Sequence, residues 1–253
     1  MSYTLALDCG TSRLHWALSG PMGVMSQGAI ANQEIGTLGL REWQNMQRPT
    51  RIVGVNVSGE ATRVRVEAQL VRWRVSPEWL VADGDAAGVH NSYTVPSQLG
   101  ADRWAALVAA RRRVASELFP LQCVVVNART VVSIDALDAD GSFRGGFIVP
   151  GVNSMLQSVA STSPNLRMPP GRYQPLPLNN ADALQTGAVH ALCGAIELLR
   201  LTLRTGATLP TVLISDGGAS EIAQHLTAPV QVVDNLVLEG VLALAETRPD
   251  LRR

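Results

Sequence analysis

The chain has 253 residues, of which 46% are apolar and only 4% aromatic, and its 21 basic side chains balance 21 acidic ones. Every basic side chain is arginine and lysine is absent, which excludes Schiff-base and pyridoxal-phosphate enzymes, P-loop NTPases and protein kinases. Zero net charge argues against a nucleic-acid binder, which needs a basic surplus to neutralise phosphates.

The length suits one large domain or two of roughly 100–150 residues, with Val, Leu, Ile and Ala filling the core. The opening MSYTLALDCG lacks a basic leader pattern, and no apolar run nears the roughly 18 residues of a membrane span. A cytoplasmic chain without a membrane partner is expected. Cys9, Cys123 and Cys193 share no metal or redox spacing and read as small buried hydrophobes. His15, His90, His190 and His225 show no ligand spacing. Trp16, Trp43, Trp73, Trp79 and Trp104 read as core or interface.

In chain order, YTLALD and RLHWAL form two strands around a tight Gly turn. Strands are expected at 51–57 and, from alternation, within 62–75, where a helix running into a strand is the competing reading. Residues 91–100 are turn-rich. Ala101–Leu118 has helical spacing and stops at Pro120. The same pattern then restarts, with strands at 121–127, 129–137 and 142–151, helical segments at 152–161 and 180–205, a strand and Gly-Gly turn at 211–220, and a last strand and helix over 230–246. Strands alternating with helices give an α/β fold, and the restart predicts a duplicated fold with lobes 1–118 and 119–253.

Three buried strands end in acidic or Gly-rich turns: Asp8-Cys9-Gly10-Thr11-Ser12, Asn127-Ala128-Arg129-Thr130 and Asp216-Gly217-Gly218. Gly turns let backbone N–H groups approach phosphate oxygens, and flanking hydroxyls add donors, so phosphate can be held without lysine. A strand-end aspartate suits Mg2+. Each motif alone is also ordinary turn chemistry.

Together with Tyr93, Pro96 and Gly100-Ala101-Asp102-Arg103, and with Gly145 to Gly151, these motifs resemble the type III pantothenate kinases of the acetate and sugar kinase, Hsp70 and actin superfamily. The resemblance spans about residues 3–245. It implies two ribonuclease H-like (actin-like ATPase) domains with mixed sheets flanked by helices. The implied reaction is ATP-dependent phosphorylation of pantothenate to 4'-phosphopantothenate, the first step of coenzyme A biosynthesis, in a homodimer. Asp102 would be the base, with helix N-cap as its other reading. Arg103 would meet the pantothenate carboxylate or position Asp102, with a surface helical arginine as its alternative. Tyr93, Gly100, Ala101 and Asn180 would line the pantothenate site.

For the nucleotide, the resemblance implies Asp8 with Mg2+, and Cys9, Gly10, Thr11, Ser12, Arg13, Leu14, His15, Thr130, Gly217 and Gly218 around ATP. Asn127 stands where relatives carry an aspartate that binds a monovalent cation, K+ or NH4+, and its neutral amide lacks that charge. Arg129 stands where the family has glycine. Either its guanidinium replaces the cation, which becomes dispensable, or it closes the site and the chain is a non-catalytic regulator like the Bvg accessory factors. A superfamily kinase for another small hydroxylated substrate is a further reading.

Overall fold

The structure, a computed structural model, describes residues 2–115, 121–166 and 169–247. Its strands are β1 (Thr4–Cys9), β2 (Arg13–Gly20), β3 (Gly23–Ala31), β4 (Arg51–Asn56), β5 (Glu78–Trp79), β6 (Asp85–Ala86), β7 (Val89–Asn91), β8 (Cys123–Ala128), β9 (Val131–Leu137), β10 (Ser142–Pro150), β11 (Thr211–Ser215) and β12 (Val230–Val233). Its α-helices are α1 (Glu60–Leu70), α2 (Ala101–Ala115), α3 (Val152–Thr162), α4 (Asn180–Leu203), α5 (Ala219–Ala223) and α6 (Leu236–Thr247). Contacts divide the chain into two units. One holds the residues up to Arg111 and the segment from Leu236, and the other runs Arg112–Asn235.

In the first unit the strand order is β3-β2-β1-β4-β5, antiparallel across β3, β2 and β1 and parallel across β1, β4 and β5. Leu5, Leu7, Leu14, Trp16, Leu18 and Ile52 fill its core with Val66 and Leu70 of α1. Trp43 sits between Trp16 and Trp73, with ring centroids 6.3 and 5.2 Å away. Three indoles thus supply much of the bulk that a core of Val, Leu and Ile would otherwise need many more residues to provide. α6 buries Leu236, Val237, Val241 and Leu244 and packs on β1 and β4. A Cβ at Gly240 would overlap the carbonyl of Ala105, so glycine is what lets α6 approach α2 closely.

The second unit repeats the plan. β10-β9-β8-β11-β12 are neighbours in that order, antiparallel across β10, β9 and β8 and parallel across β8, β11 and β12. This is the order and direction of the first unit, so the duplicated fold expected from the restart is present. β8 and β11 are buried on both faces, as Val-rich parallel strands should be. Val124, Val126, Ile134, Val212 and Ile214 meet Val189, Leu192 and Ile196 of α4. α4 has 24 residues, with an 18-residue stretch of mean hydropathy 1.2, enough in length and composition to cross a membrane, but one face of it belongs to this core. Arg200 on α4 is fully buried. Its Nε donates to the Pro210 carbonyl at 2.9 Å and its Nη1 to the Thr227 carbonyl at 2.6 Å.

Several elements differ from the sequence expectations. Residues 60–70 are helix, because Thr62, Val66 and Leu70 recur at helical spacing and are buried while Val64 faces out. β3 was not anticipated, since most of its residues are exposed and carry no alternating signal. The expected lobe boundary at 118/119 and the Pro120 stop lie outside the described residues. The grouping of α6 with the first unit differs from a lobe spanning 119–253, and the reason is the apolar face that α6 turns towards β1 and β4.

Candidate active site

All of the expected site residues except Asn180 fall into three local clusters. The first is the β1–β2 hairpin. Asp8 pairs in register with His15 and Cys9 with Leu14, and the Gly10 N–H donates to the Arg13 carbonyl at 3.0 Å, closing the turn. Asp8, Cys9, Gly10 and Leu14 are buried, His15 is half-buried, and Thr11, Ser12 and Arg13 are exposed at the tip. Asn32, absent from the sequence reading, braces this tip. Its Nδ2 lies 2.9 Å from the Gly10 carbonyl and 3.0 Å from both the Thr11 carbonyl and Ser58 Oγ, and its backbone N–H donates to the Ser12 carbonyl at 3.0 Å. An asparagine after an edge strand carries no sequence signal for this role, because its partners come from two other loops. A fully buried carboxylate beside a turn with exposed hydroxyls is a donor set that fits a hard divalent cation and phosphate oxygens.

The thiol of Cys9 is pushed far above its usual range by burial first and by neighbouring Asp8 second. Burial, with Glu197 nearby, pushes Cys193 up to about 11. All three cysteines are buried, in keeping with small hydrophobes. Among the described residues no group of three or more His, Cys, Asp or Glu side chains is placed to hold a metal ion.

The second cluster is the loop leading into α2. Asn91 organises it, with Nδ2 donating to the Asp83 and Pro96 carbonyls, each at 3.1 Å, and Oδ1 accepting from the Tyr93 N–H at 3.1 Å. The Trp104 N–H donates to the Gly100 carbonyl at 2.9 Å, so Gly100 is the residue that caps α2. Asp102 is instead the second helical residue after Ala101, and its Oδ1 accepts from the Arg103 N–H at 2.8 Å. The capping alternative for Asp102 therefore does not hold. Arg103 is not a surface arginine either, being only 5% exposed. Its Nη1 donates to the Tyr93 hydroxyl at 3.2 Å, and its guanidinium lies 5.9 Å from the Tyr93 ring centre. Tyr93 and Arg103 are thus held together beside Asp102.

The third cluster is formed by strand ends of the second unit. Asn127 is buried, its Nδ2 donating to Ser133 Oγ at 3.1 Å and its Oδ1 accepting from Ser215 Oγ at 3.2 Å. Arg129 Nε lies 2.9 Å from Asp216 Oδ2, with side-chain exposures of 17% and 2%. The Gly218 N–H donates to the Ala128 carbonyl at 3.0 Å, and Thr130 and Gly217 are exposed. The Thr130 carbonyl accepts from the Gly151 N–H at 2.9 Å and from Ser154 Oγ at 2.7 Å. Asn127 offers a monovalent cation only a neutral amide oxygen, and the adjoining Asp216 carboxylate is paired with Arg129 through Oδ2 while its Oδ1 is buried without a hydrogen-bond partner.

Asn180 is the exposed first residue of α4. It follows the cap Asn179, whose Oδ1 accepts from the Asp182 N–H at 2.9 Å. The Arg172 N–H and the Asn179 amide hold the Asp182 carboxyl below its usual range.

A family model described as type III pantothenate kinase matches residues 4–200. The type III pantothenate kinases of Leptothrix cholodnii and Polaromonas sp. are 39% and 36% identical to the chain, over 96% of its length and 97% and 98% of theirs. Among solved structures, a conserved putative Baf family transcriptional activator from Campylobacter jejuni has a TM-score of 0.61 at 18% identity, covering 98% of this chain and 100% of its own. A putative 2-dehydro-3-deoxygalactonokinase from Sinorhizobium meliloti has a TM-score of 0.57 at 14% identity, covering 96% and 98%. At such identities these two likenesses speak for the fold alone, which is the duplicated α/β plan of mixed sheets flanked by helices. By the family match and the near full-length relatives, the chain belongs to the type III pantothenate kinase family.

Proposed function

We propose that Asp102 is the base with which this kinase transfers the γ-phosphoryl group of ATP to the primary hydroxyl of pantothenate, giving 4'-phosphopantothenate and ADP. The observation that carries the assignment is the Tyr93–Arg103–Asp102 arrangement at the start of α2. Arg103 is buried, yet its guanidinium is oriented by a tyrosine hydroxyl, which leaves a rigid fork of the kind that recognises a carboxylate such as that of pantothenate. With the acceptor anchored, the Asp102 carboxylate takes the proton of the attacking hydroxyl, and positioning supplies much of the rate.

Asp8 would hold the divalent ion, and Gly10, Thr11 and Ser12 would bind the phosphates from the hairpin tip. When bound, that ion compensates the charge on the transferring phosphoryl group. Because the Arg129 guanidinium places a fixed positive charge at Asp216, the reading expects K+ or NH4+ to be dispensable. A homodimer in the cytoplasm, without nucleic-acid or membrane partners, completes it, and light scattering of the purified chain checks the dimer.

The deciding assay is pantothenate-dependent ADP release by the wild type beside Asp102→Asn. A loss of 100-fold or more in kcat with Mg-ATP affinity retained is expected, in the range for removing a general base. Equal turnover by Asp102→Asn would refute the assignment. Mg-ATP binding without turnover would favour a regulator.

A further inference from the structure

We infer that Arg129 and Asp216 form a clamp that positions the Gly217-Gly218 turn, so that this ion pair sets the affinity for the nucleotide. The inference rests on the kinase reading above and concerns two residues to which that reading gives no part in binding the nucleotide. Arg129 belongs to the turn after β8, and Asp216 opens the turn after β11, two strands that run parallel and side by side. Their charged groups meet at 2.9 Å and are largely removed from water, where solvent and salt screen them little. Breaking such a pair from one side strands a buried charge.

Asp216 also has a backbone φ of 78°, in the left-handed region that non-glycine residues rarely adopt. Ser215 Oγ lies 3.2 Å from the same Oδ2, within reach of its single hydroxyl proton, while Oδ1 is buried without a hydrogen-bond partner. Ser215 in turn contacts Asn127, which holds Ser133. A polar chain therefore runs from Ser133 through Asn127, Ser215 and Asp216 to Arg129, across the ends of three adjacent strands. The backbone bond from Gly218 to Ala128 docks the same turn a second time. The exposed Gly217 backbone follows directly on this fixed point, and a turn without side chains can bind a ligand tightly only if something else holds its shape. Arg129 and Asp216 are thus positioning residues, acting on the nucleotide through the turn.

The test is calorimetric titration of Mg-ATP into wild type, Asp216→Asn, Arg129→Ala, Arg129→Lys and the double variant Arg129→Ala/Asp216→Asn, with steady-state kinetics beside it. Asp216→Asn and Arg129→Ala are each expected to weaken Mg-ATP about 10-fold, while kcat at saturating ATP and the pantothenate KM stay within about 2-fold. The double variant should be no worse than either single one, and Arg129→Lys should recover most of the loss. A merely structural role would lower the folded fraction, and so kcat, while leaving the Mg-ATP affinity of the folded remainder unchanged. That pattern, or unchanged affinity in both single variants, overturns the clamp. Wild type that binds Mg-ATP but releases no ADP with pantothenate refutes the kinase reading while the affinity comparison still decides the clamp, and wild type that binds no Mg-ATP overturns both.

Discussion

Asn32 offers a sharp test of how the phosphate-side hairpin is built. Its amide nitrogen, with two hydrogens to donate, lies 2.9 to 3.0 Å from three acceptors, the carbonyls of Gly10 and Thr11 and the Ser58 hydroxyl. Asn32→Ala removes these bonds. Asn32→Asp keeps the shape but turns a carboxylate oxygen towards two carbonyl oxygens. A net hydrogen bond contributes about 0.5–1.5 kcal/mol, and the Thr11 contact is exposed, so Asn32→Ala should cost about 2 kcal/mol and Asn32→Asp more. At about 2–4 °C per kcal/mol for a chain of this size, Tm should fall by roughly 4–8 °C in Asn32→Ala. Mg-ATP affinity should fall about 10-fold in Asn32→Asp, which also places negative charge beside the phosphates, while the pantothenate KM changes little. Scanning calorimetry and nucleotide titration measure both quantities. An Asn32→Asp protein with wild-type Tm and ATP affinity would show that the bracing is irrelevant and that the tip holds its own shape.

A Cβ at Gly146 would overlap Asp135 Oδ1 and the Ile134 carbonyl, so Gly146→Ala should destabilise by about 1–3 kcal/mol through overpacking, read as a lowered denaturation midpoint in urea. Arg200 is fully buried, pairs with the partly exposed Glu197 and donates to two carbonyls, so Arg200→Met should cost about 2–4 kcal/mol by leaving those acceptors unsatisfied, and a midpoint equal to wild type would contradict its role in tying α4 to the strands. The Cys193 thiol ionises at about 11 in the folded chain against 9.0 as its ordinary value. The folded state therefore keeps its proton where the unfolded state loses it, so this contribution to stability is full below pH 9 and is lost as pH rises from 9 to about 11. Denaturation midpoints across that window should fall less steeply in Cys193→Ala than in wild type.

Much of the fold was legible because its strands are locally patterned. β1 and β2 flank a Gly turn, β8 is an unbroken apolar run, and β9 and β10 repeat the hairpin, so both halves announced the same start. α1 was ambiguous because Val64 and Val66 alternate like a strand, and only burial of Thr62, Val66 and Leu70 resolves the period. β5, β6 and β7 are two or three residues long, too short for any periodicity. At the site, motif positions were visible but their mutual contacts were not. Arg129 stood out as a side chain in a glycine turn, yet its partner Asp216 is remote in sequence. Asn32 could not be anticipated at all, since its role exists only once β1, β3 and the loop after β4 have come together.

The return of α6 to the first unit has a consequence for biosynthesis. The second unit, Arg112–Asn235, is continuous, so the ribosome can release all of it before the helix that covers β1 and β4 has emerged. The half translated first is thus the half completed last, and until Leu236–Thr247 arrives its sheet exposes the surface meant for Leu236, Val237, Val241 and Leu244. Burying four such side chains is worth about 6–12 kcal/mol, comparable to the whole stability of an ordinary domain. A released chain ending at residue 235 should therefore bind chaperones through its N-terminal half while its younger half is already protected from proteases.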